Sequence, residues 1–218
     1  YFLSAQQSGY KDLIRFDYKD KEDMFDGHSY NKGGRILHML RDYIGDDAFF
    51  DGLKLYLNKH AFKTAEAHDL RIAFEEVSGL DLNWFFNQWF LSSGHPLLVL
   101  DYTIENSKLT VKIEQIQDQA TTPIYRLPMA IDVYQDGVPK RHIIDMQDKV
   151  QSFEFDFKGT VTNVIVDAEH MLLAEIFDEK PGQWWINQLD APLYMDQKIA
   201  LQNMDSVLMS QAIAKSIA

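Results

Sequence analysis

Residues 28–40 read HSYNKGGRILHML, and this stretch decides the fold of the first part of the chain. Ser29 is a residue type that caps helices, because its hydroxyl can accept a hydrogen bond from a free amide one turn later. Gly45 is suited to end a helix, since glycine tolerates the left-handed backbone found there. The stretch therefore predicts a helix from Ser29 to Gly45. Apolar residues at three- and four-residue spacing define its buried face: Ile36, Leu37, Leu40, Tyr43 and Ile44.

Two adjacent glycines, Gly33 and Gly34, lie in the first turns of this predicted helix. Each glycine costs about 1 kcal/mol relative to alanine inside a helix. We therefore expect another segment to pack closely against the backbone here, or a ligand to approach it.

Three further helical patterns follow. One begins at Asp46, the next runs from Glu66 to Val77 and closes at Gly79, and the last starts at Asp81. The last is apolar almost all round, so we expect it to be buried. Short connections predict that residues 1–95 form one helical lobe. The expected inward-facing residues are Phe49, Phe50, Leu53, Tyr56 and Leu57, then Leu70, Ala73, Phe74 and Val77, then Leu82, Trp84, Phe85, Phe86, Trp89 and Phe90.

The hydrophobic period changes from helical to alternating at Gly94-His95-Pro96. Asp136-Gly137 lies between two alternating runs and is a strong hairpin signal. Because no helix pattern interrupts the runs, residues 96–178 are predicted to form an antiparallel β-sandwich. Six or seven short strands are predicted, with ranges at 97–104, 108–116, 123–134, 138–145, 150–157 and 161–167.

A helical pattern returns after Pro181, and residues 179–218 are predicted to begin a further helical domain. We expect a short helix over 183–189 and a longer one over 191–217. The methionines of this segment could form an adaptable binding face. We prefer core packing, or an apolar face left bare by truncation. The apolar positions expected in the longer helix are Ile199, Leu201, Met204, Val207, Leu208 and Ile213.

Composition excludes several classes of function. The 218 residues contain no cysteine, which rules out disulfides and cysteine metal sites, and a formal net charge of −12 argues against nucleic acid and anionic membranes as partners. There is no signal peptide and no apolar run near 20 residues, so we expect a soluble chain whose compartment is unknown. The chain starts at Tyr1 rather than methionine, and we expect it to be a piece of something longer.

The acidic lead-in before residue 28 is interpreted as a solvated loop, since mixed charge runs are mostly solvent faces. The alternative is that a carboxylate here lines a substrate cleft. The residues concerned are Asp17, Asp20, Glu22, Asp23 and Asp26, interleaved with Lys19 and Lys21.

Self-contained catalytic motifs are missing from the sequence. His-Glu-x-x-His, which places two imidazoles on one helix face, does not occur. No two histidines are three or four residues apart, so no metal site is predicted and each is expected at the surface or in a hydrogen-bonded core position. Glu169-His170 with Glu175 lacks a partner histidine and is rejected as a metal site. The histidines are His28, His38, His60, His68, His95, His142 and His170.

The run Tyr30-Asn31-Lys32-Gly33-Gly34 resembles a region of the zinc aminopeptidases, the gluzincin family of aminopeptidase N and leukotriene hydrolase. In that family the pattern Tyr-x-Lys-Gly-(Gly/Ala) lies downstream of the zinc motif, and its tyrosine reaches back to the metal centre. The resemblance continues to Gly94-His95-Pro96 and covers roughly residues 20–100. Beyond Pro96 it rests on the order of domains. It identifies the chain as a C-terminal fragment that lacks the His-Glu-x-x-His motif.

The resemblance implies a fold, a catalytic residue and a cofactor. The fold would be the helical C-terminal lobe of a thermolysin-like catalytic domain, then the β-sandwich, then the start of a solenoid-like helical domain. Tyr30 would stabilise the tetrahedral oxyanion during hydrolysis of N-terminal residues from peptides. Zinc, its ligands and the general base would belong to upstream sequence, which would also be this fragment's structural partner. The fragment alone is therefore predicted to be inactive and free of zinc.

Two alternatives stay open. The chain could belong to a metal-free relative that uses these segments as a protein- or peptide-binding module. It could also be an unrelated structural or carbohydrate-binding protein with an exposed aromatic platform, since fold alone decides no function. Trp84 and Trp89 lie in an apolar helix, and Trp184-Trp185 follow the predicted sandwich, so the platform is the least favoured hypothesis.

Overall fold

The computed structural model describes residues 9–217, with side chains as far as residue 215. The predicted lead-in therefore lies partly outside the described residues. The chain divides into two compact units. Within the described residues, one contains 9–96 together with 117–125, and the other contains 97–116 together with 126–217. The division into three domains, at 1–95, 96–178 and 179–218, stays a prediction.

The first unit is helical, as the sequence predicts. A 3₁₀ turn spans Lys21–Met24, and a π-helical turn, His28–Lys32, leads into the first α-helix. The α-helices are α1 (Gly33–Ile44), α2 (Asp46–Lys59), α3 (Ala67–Ser78) and α4 (Asn83–Trp89). Gly79 ends α3 in the left-handed conformation, with φ 71° and ψ 9°, which confirms its predicted role.

The predicted helix start at Ser29 is wrong. The carboxylate of Asp26 accepts hydrogen bonds from the amides of His28 and Ser29, at 3.0 and 2.9 Å. Asp26 therefore caps the helix three residues earlier, and a carboxylate suits the positive end of a helix. The Ser29 hydroxyl instead accepts a hydrogen bond from Arg15.

The core of the helical unit is centred on Phe74, Leu82 and Trp89, which are at most 1% exposed. Phe49 stacks on Phe74 with ring centroids 5.3 Å apart, where α2 packs against α3. Three residues predicted to be buried lie at the surface, because they occupy the outer sides of these helices. Phe50 is 53% exposed, and the other two are Leu57 and Val77.

The second unit contains two sheets of short strands. One has the order β5-β2-β1-β7 and the other β4-β3-β6. Each sheet buries alternate residues, and the ring of His142 on β4 lies 4.5 Å from that of Phe155 on β5, across the two sheets. The strands are β1 (Leu97–Glu105), β2 (Lys108–Gln115), β3 (Leu127–Gln135), β4 (Val138–Met146), β5 (Val150–Asp156), β6 (Val161–Val166) and β7 (Glu175–Asp178).

Two details of the predicted sheets are wrong. The short strand β7 lies outside the six predicted ranges, and it pairs with β1 in parallel, so the sheets are not purely antiparallel. The third strand begins at Leu127 instead of 123, because residues 117–125 form a loop that belongs to the helical unit. There the fully buried Tyr125 packs its ring 4.6 Å from that of Trp89. The Asp136-Gly137 hairpin is confirmed, with φ of 50° and 84°.

The C-terminal segment forms three helices, α5 (Gly182–Gln188), α6 (Tyr194–Asn203) and α7 (Ser206–Ile217). The single helix predicted over 191–217 is therefore wrong. Met204 is extended, and the Asp205 carboxylate accepts hydrogen bonds from the amides of Val207 and Leu208, which starts a new helix.

The buried positions of these helices also differ from the prediction. Leu201, Val207 and Ile213 are about half exposed, whereas Ala200 is fully buried and Ala212 nearly so. In the described part of the chain, no helix combines the length and the apolar composition that crossing a membrane requires.

Candidate functional site

The helix start that carries Tyr30 is a turn of π-helix. The amide of Gly33 donates to the carbonyl of His28, five residues earlier, and the amide of Tyr30 donates to the carbonyl of Asp26 at 3.1 Å. Single π-helical turns are rare and occur frequently at functional sites. The turn adds one residue to the first winding, so it sets the direction in which the Tyr30 side chain leaves the helix.

An ion pair holds this turn to the lead-in segment. Arg15 donates to Asp26 at 2.7 Å and to the Ser29 hydroxyl at 3.1 Å. Burial raises the pKa of the Asp26 carboxyl, but hydrogen bonds from Arg15 and the Ser29 amide outweigh it and hold that pKa well below its usual range. Asp26 therefore stays charged and keeps the cap in place at any pH near neutrality.

The solvated-loop interpretation is wrong for Asp26, whose side chain is only 24% exposed. The other carboxylates of the lead-in, at positions 17, 20, 22 and 23, are exposed as predicted.

Tyr30, the predicted catalytic residue, is 63% exposed. Its ring centroid lies 6.1 Å from that of Phe25, which is itself 65% exposed. A core tyrosine would bury most of its ring and satisfy its hydroxyl locally. The exposure means that the phenol is available to a molecule outside this chain's core, and that its position depends on its backbone.

Lys32 lies two residues further along and is completely buried. Its ammonium donates to the carbonyls of Ser92, at 2.9 Å, and Lys11, at 3.3 Å. Burial lowers the pKa of Lys32 to about 8, and the nearby Asp12 carboxylate acts in the opposite direction. A buried lysine is among the rarest features of a protein core, so its place in the turn requires an explanation.

The two adjacent glycines play different parts. A methyl group at Gly33 would meet the side chain of Leu13 at 3.4 Å, so the predicted close packing against the backbone is confirmed there. At Gly34 nothing lies within 4 Å of such a methyl group. The second glycine therefore leaves open space beside the turn.

An open groove of about 670 Å³ lies in the helical unit beside this turn. Three aromatic rings and five acidic side chains line it, together with Lys11, Arg15 and Ser93. Such a surface offers both apolar contact and negative charge. The aromatic residues are Tyr10, Tyr18 and Phe25, and the acidic ones are Asp12, Asp17, Glu22, Asp23 and Asp26.

The described residues of the chain do not fit a zinc site, because no three side chains of His, Cys, Asp or Glu come together in a metal-binding arrangement. His28 and His95 are buried in the helical unit, and burial lowers the pKa of His28. His170, whose sequence neighbourhood suggested a metal ligand, lies 2.7 Å from the carboxylate of Asp196. Glu169 forms an ion pair with Arg141.

The tryptophans do not form an exposed platform. Trp89, Trp184 and Trp185 are between 1% and 7% exposed, and Trp84 packs edge-on against Tyr43. This burial argues against the carbohydrate-binding hypothesis.

Sequence reasoning missed Arg15, Asp26 and Lys32 as the residues that build the Tyr30 turn. Arg15 and Asp26 are 11 residues apart, and no helical or strand period relates them. Lys32 lies inside the motif that carries the family resemblance, and this position could have indicated that Lys32 belongs to the site. Its burial could not be read from the sequence, because lysine is normally exposed.

Comparison with known proteins shows which family and which relatives the chain resembles. Residues 8–89 match the Peptidase family M1 domain. The leucyl aminopeptidase of Saccharolobus solfataricus is 28% identical over 148 residues, which cover 68% of this chain and 19% of that protein. Aminopeptidase N of Lactococcus lactis subsp. lactis is 35% identical over 103 residues, which cover 46% of this chain and 12% of that protein. The chain thus spans about a fifth or less of the length of these relatives.

The fold agrees with the sequence match. The crystal structure of Legionella pneumophila aminopeptidase A in complex with aspartic acid superposes with a TM-score of 0.74, at 17% identity, covering 87% of this chain and 22% of that one. At this identity the likeness concerns the fold alone. The match over residues 8–89, which include Tyr30 and its turn, confirms the resemblance of this segment to the M1 family of zinc aminopeptidases, the gluzincin metallopeptidases.

Proposed function

We propose that this chain is part of a zinc-dependent aminopeptidase that hydrolyses N-terminal residues from peptides, and that Tyr30 stabilises the oxyanion of the reaction. The observation that carries the proposal is the exposed phenol of Tyr30, at the head of a helix inside the segment that matches the M1 domain. The zinc that the family implies would be held by residues outside this chain.

The chemical role of Tyr30 follows from its hydroxyl. When the scissile carbonyl is attacked, its oxygen gains negative charge, and an O–H donor aimed at that oxygen stabilises the transition state more than the substrate. One such donor contributes roughly 3 kcal/mol. A phenol suits the role because its ordinary pKa of about 10 keeps the proton available at neutral pH.

Tyr30→Phe in the full-length protein tests this role. The substitution keeps the ring and removes the donor, so we expect kcat to fall by about 10² or more, with KM and zinc content little changed. Tyr30→Ala is the matched variant for stability. Because the ring is 63% exposed, its removal should cost less than about 1 kcal/mol. A Tyr30→Phe enzyme that keeps full kcat on peptide substrates would remove Tyr30 from the catalytic residues.

The isolated 218-residue chain should neither bind zinc in stoichiometric amount nor cleave aminoacyl substrates. The reason is the missing ligand set: the described residues hold no cluster of metal-binding side chains. Metal analysis of the purified chain and an assay with chromogenic aminoacyl substrates check both points. One tightly held zinc per chain, with turnover, would contradict the proposal that this segment depends on upstream sequence.

A metal-free peptide-binding protein is the second candidate. The aromatic and acidic groove in the helical unit favours it, because such walls suit an extended peptide with a basic side chain. The sequence before Tyr1 separates the candidates: a His-Glu-x-x-His motif there supports the enzyme. Peptide binding by a full-length protein that lacks both the motif and zinc would support the binding module instead.

A further inference from the structure

Lys32 places a positive charge inside the helical unit, where it makes hydrogen bonds only to backbone carbonyls among its described contacts. Burial of an ammonium group is costly even when it is hydrogen-bonded. A methionine of similar volume would fill the same space without that cost. Packing alone therefore does not account for a lysine at this position.

The two carbonyls that Lys32 binds belong to different parts of the helical unit. One is that of Lys11 in the lead-in segment. The other is that of Ser92, which follows α4, so the bond joins residues 60 positions apart. Lys32 thus ties the π-helical turn to both segments at once.

The corner around Ser92 is itself well anchored. The hydroxyl of Ser92 donates to the carbonyl of Asn87 at 3.1 Å. Next to it, the hydroxyl of Ser93 donates to Thr121, and Tyr125 donates to the carbonyl of Ser93. Lys32 therefore connects the turn to a part of the unit that has little freedom to move.

Tyr30 needs such an anchor because its own ring provides little. An exposed phenol takes its position from the backbone that carries it. A π-helical turn is less favourable than an α-helical one, and it persists where surrounding contacts hold it. If the turn relaxed to an α-helical winding, the Tyr30 side chain would leave the helix in a different direction.

We propose that Lys32 is a positioning residue for Tyr30: its ammonium fixes the π-helical turn against the Lys11 and Ser92 carbonyls, and so aims the phenol in the reaction. The inference rests on the proposed function of Tyr30, and it assigns Lys32 an effect that passes through Tyr30 and not through overall stability.

The test compares Lys32→Met with Lys180→Met in the full-length enzyme. Lys180 is the control for loss of a buried ammonium, because it is 6% exposed and donates to the carbonyl of Val164 at 2.9 Å in the sheet unit. Unlike Lys32 it also pairs with the Asp178 carboxylate, at 3.4 Å, so its removal should cost at least as much stability. We expect Lys32→Met to lower kcat at least tenfold with KM within twofold and with no fall in melting temperature beyond that of Lys180→Met. Lys180→Met should keep kcat within twofold. Equal losses of kcat in both variants would overturn the inference.

A double-mutant comparison separates this inference from the proposal about Tyr30. In a Tyr30→Phe background, Lys32→Met should lower kcat by less than twofold, because the hydroxyl that it positions is already gone. A full tenfold loss in that background would show that Lys32 acts by another route. If Tyr30→Phe alone kept full kcat, the catalytic role of Tyr30 would fail, and the positioning role would fail with it.

Amide hydrogen exchange gives a second readout that does not depend on activity. The amides of residues 28–34 should exchange at least tenfold faster in Lys32→Met than in wild type, while those of α3 stay unchanged. Lys32→Gln retains an N–H donor and should recover part of the protection, which also covers the case in which Lys32→Met fails to fold. Unchanged exchange over residues 28–34 in both variants would overturn the inference.

Discussion

Gly52→Ala should destabilise the helical unit, although alanine is the better helix former. Gly52 lies inside α2, where it faces the fully buried ring of Phe74 on α3. A methyl group added there would lie 2.9 Å from Cε1 and 3.3 Å from Cγ of that ring, and closer still to Cδ1. Carbon atoms do not approach so closely, so the ring or the helix must move. The ring has little room to do so, because it also stacks on Phe49.

The magnitude follows from two opposing terms. Overpacking of a well-filled core costs about 1–3 kcal/mol, and this clash with a buried aromatic ring belongs at the upper end of that range. Replacing glycine by alanine in a helix gains about 1 kcal/mol. We therefore expect Gly52→Ala to lower the free energy of unfolding by about 2 kcal/mol. Urea denaturation of the chain, followed by far-UV circular dichroism, measures this difference.

Gly34→Ala is the matched control, because a methyl group at Gly34 meets nothing within 4 Å. This variant should be stabilised by up to about 1 kcal/mol. Adding Phe74→Leu to Gly52→Ala should cost less than the sum of the two single changes, since the smaller side chain relieves the clash. A Gly52→Ala chain as stable as wild type would refute the reasoning that α2 and α3 are in contact through this glycine.

Two further predictions concern the charges around the Tyr30 turn. The pKa of Lys32 is lowered to about 8 in the folded chain. Between pH 8 and 10.5 the unfolded chain therefore holds a proton that the folded chain has lost. The free energy of unfolding rises with pH over this window, because deprotonation favours the folded chain. Urea titrations should show that wild type gains up to about 3 kcal/mol over this window relative to Lys32→Met, and an identical pH dependence of the two would contradict the burial of Lys32. Asp26→Asn should cost about 2 kcal/mol, because Arg15 loses its charged partner while the side-chain oxygen can still accept from the amides of the turn. Since folding lowers the pKa of Asp26, the difference between Asp26→Asn and wild type should be full above pH 4 and shrink as the pH falls further, and a constant difference down to pH 2 would show that the carboxylate is not the cause.

The sequence by itself determined most elements of the fold and their order. Helical spacing up to Phe90 and alternation after Pro96 predict the helices and strands, because the 3.6- and two-residue periods follow from backbone geometry and can be read locally. Gly79 and Asp136-Gly137 were placed correctly for the same reason: their roles depend on φ values that few other residues tolerate. The motif from Tyr30 to Gly34 also predicted the family resemblance, since it is a short run of unusual composition.

Tertiary contacts decided the remaining features. The side chain of Asp26, and not that of Ser29, caps the turn that begins at His28. Arg15, distant along the chain, bonds the Asp26 carboxylate and the Ser29 hydroxyl.

The strand β7 was missed because it is four residues long and pairs in parallel with a strand far away in sequence, so no local period marks it. The burial of Lys32 depends on carbonyls 21 and 60 residues away. Each of these features joins segments that are remote in sequence, and only the folded chain brings their partners within bonding distance.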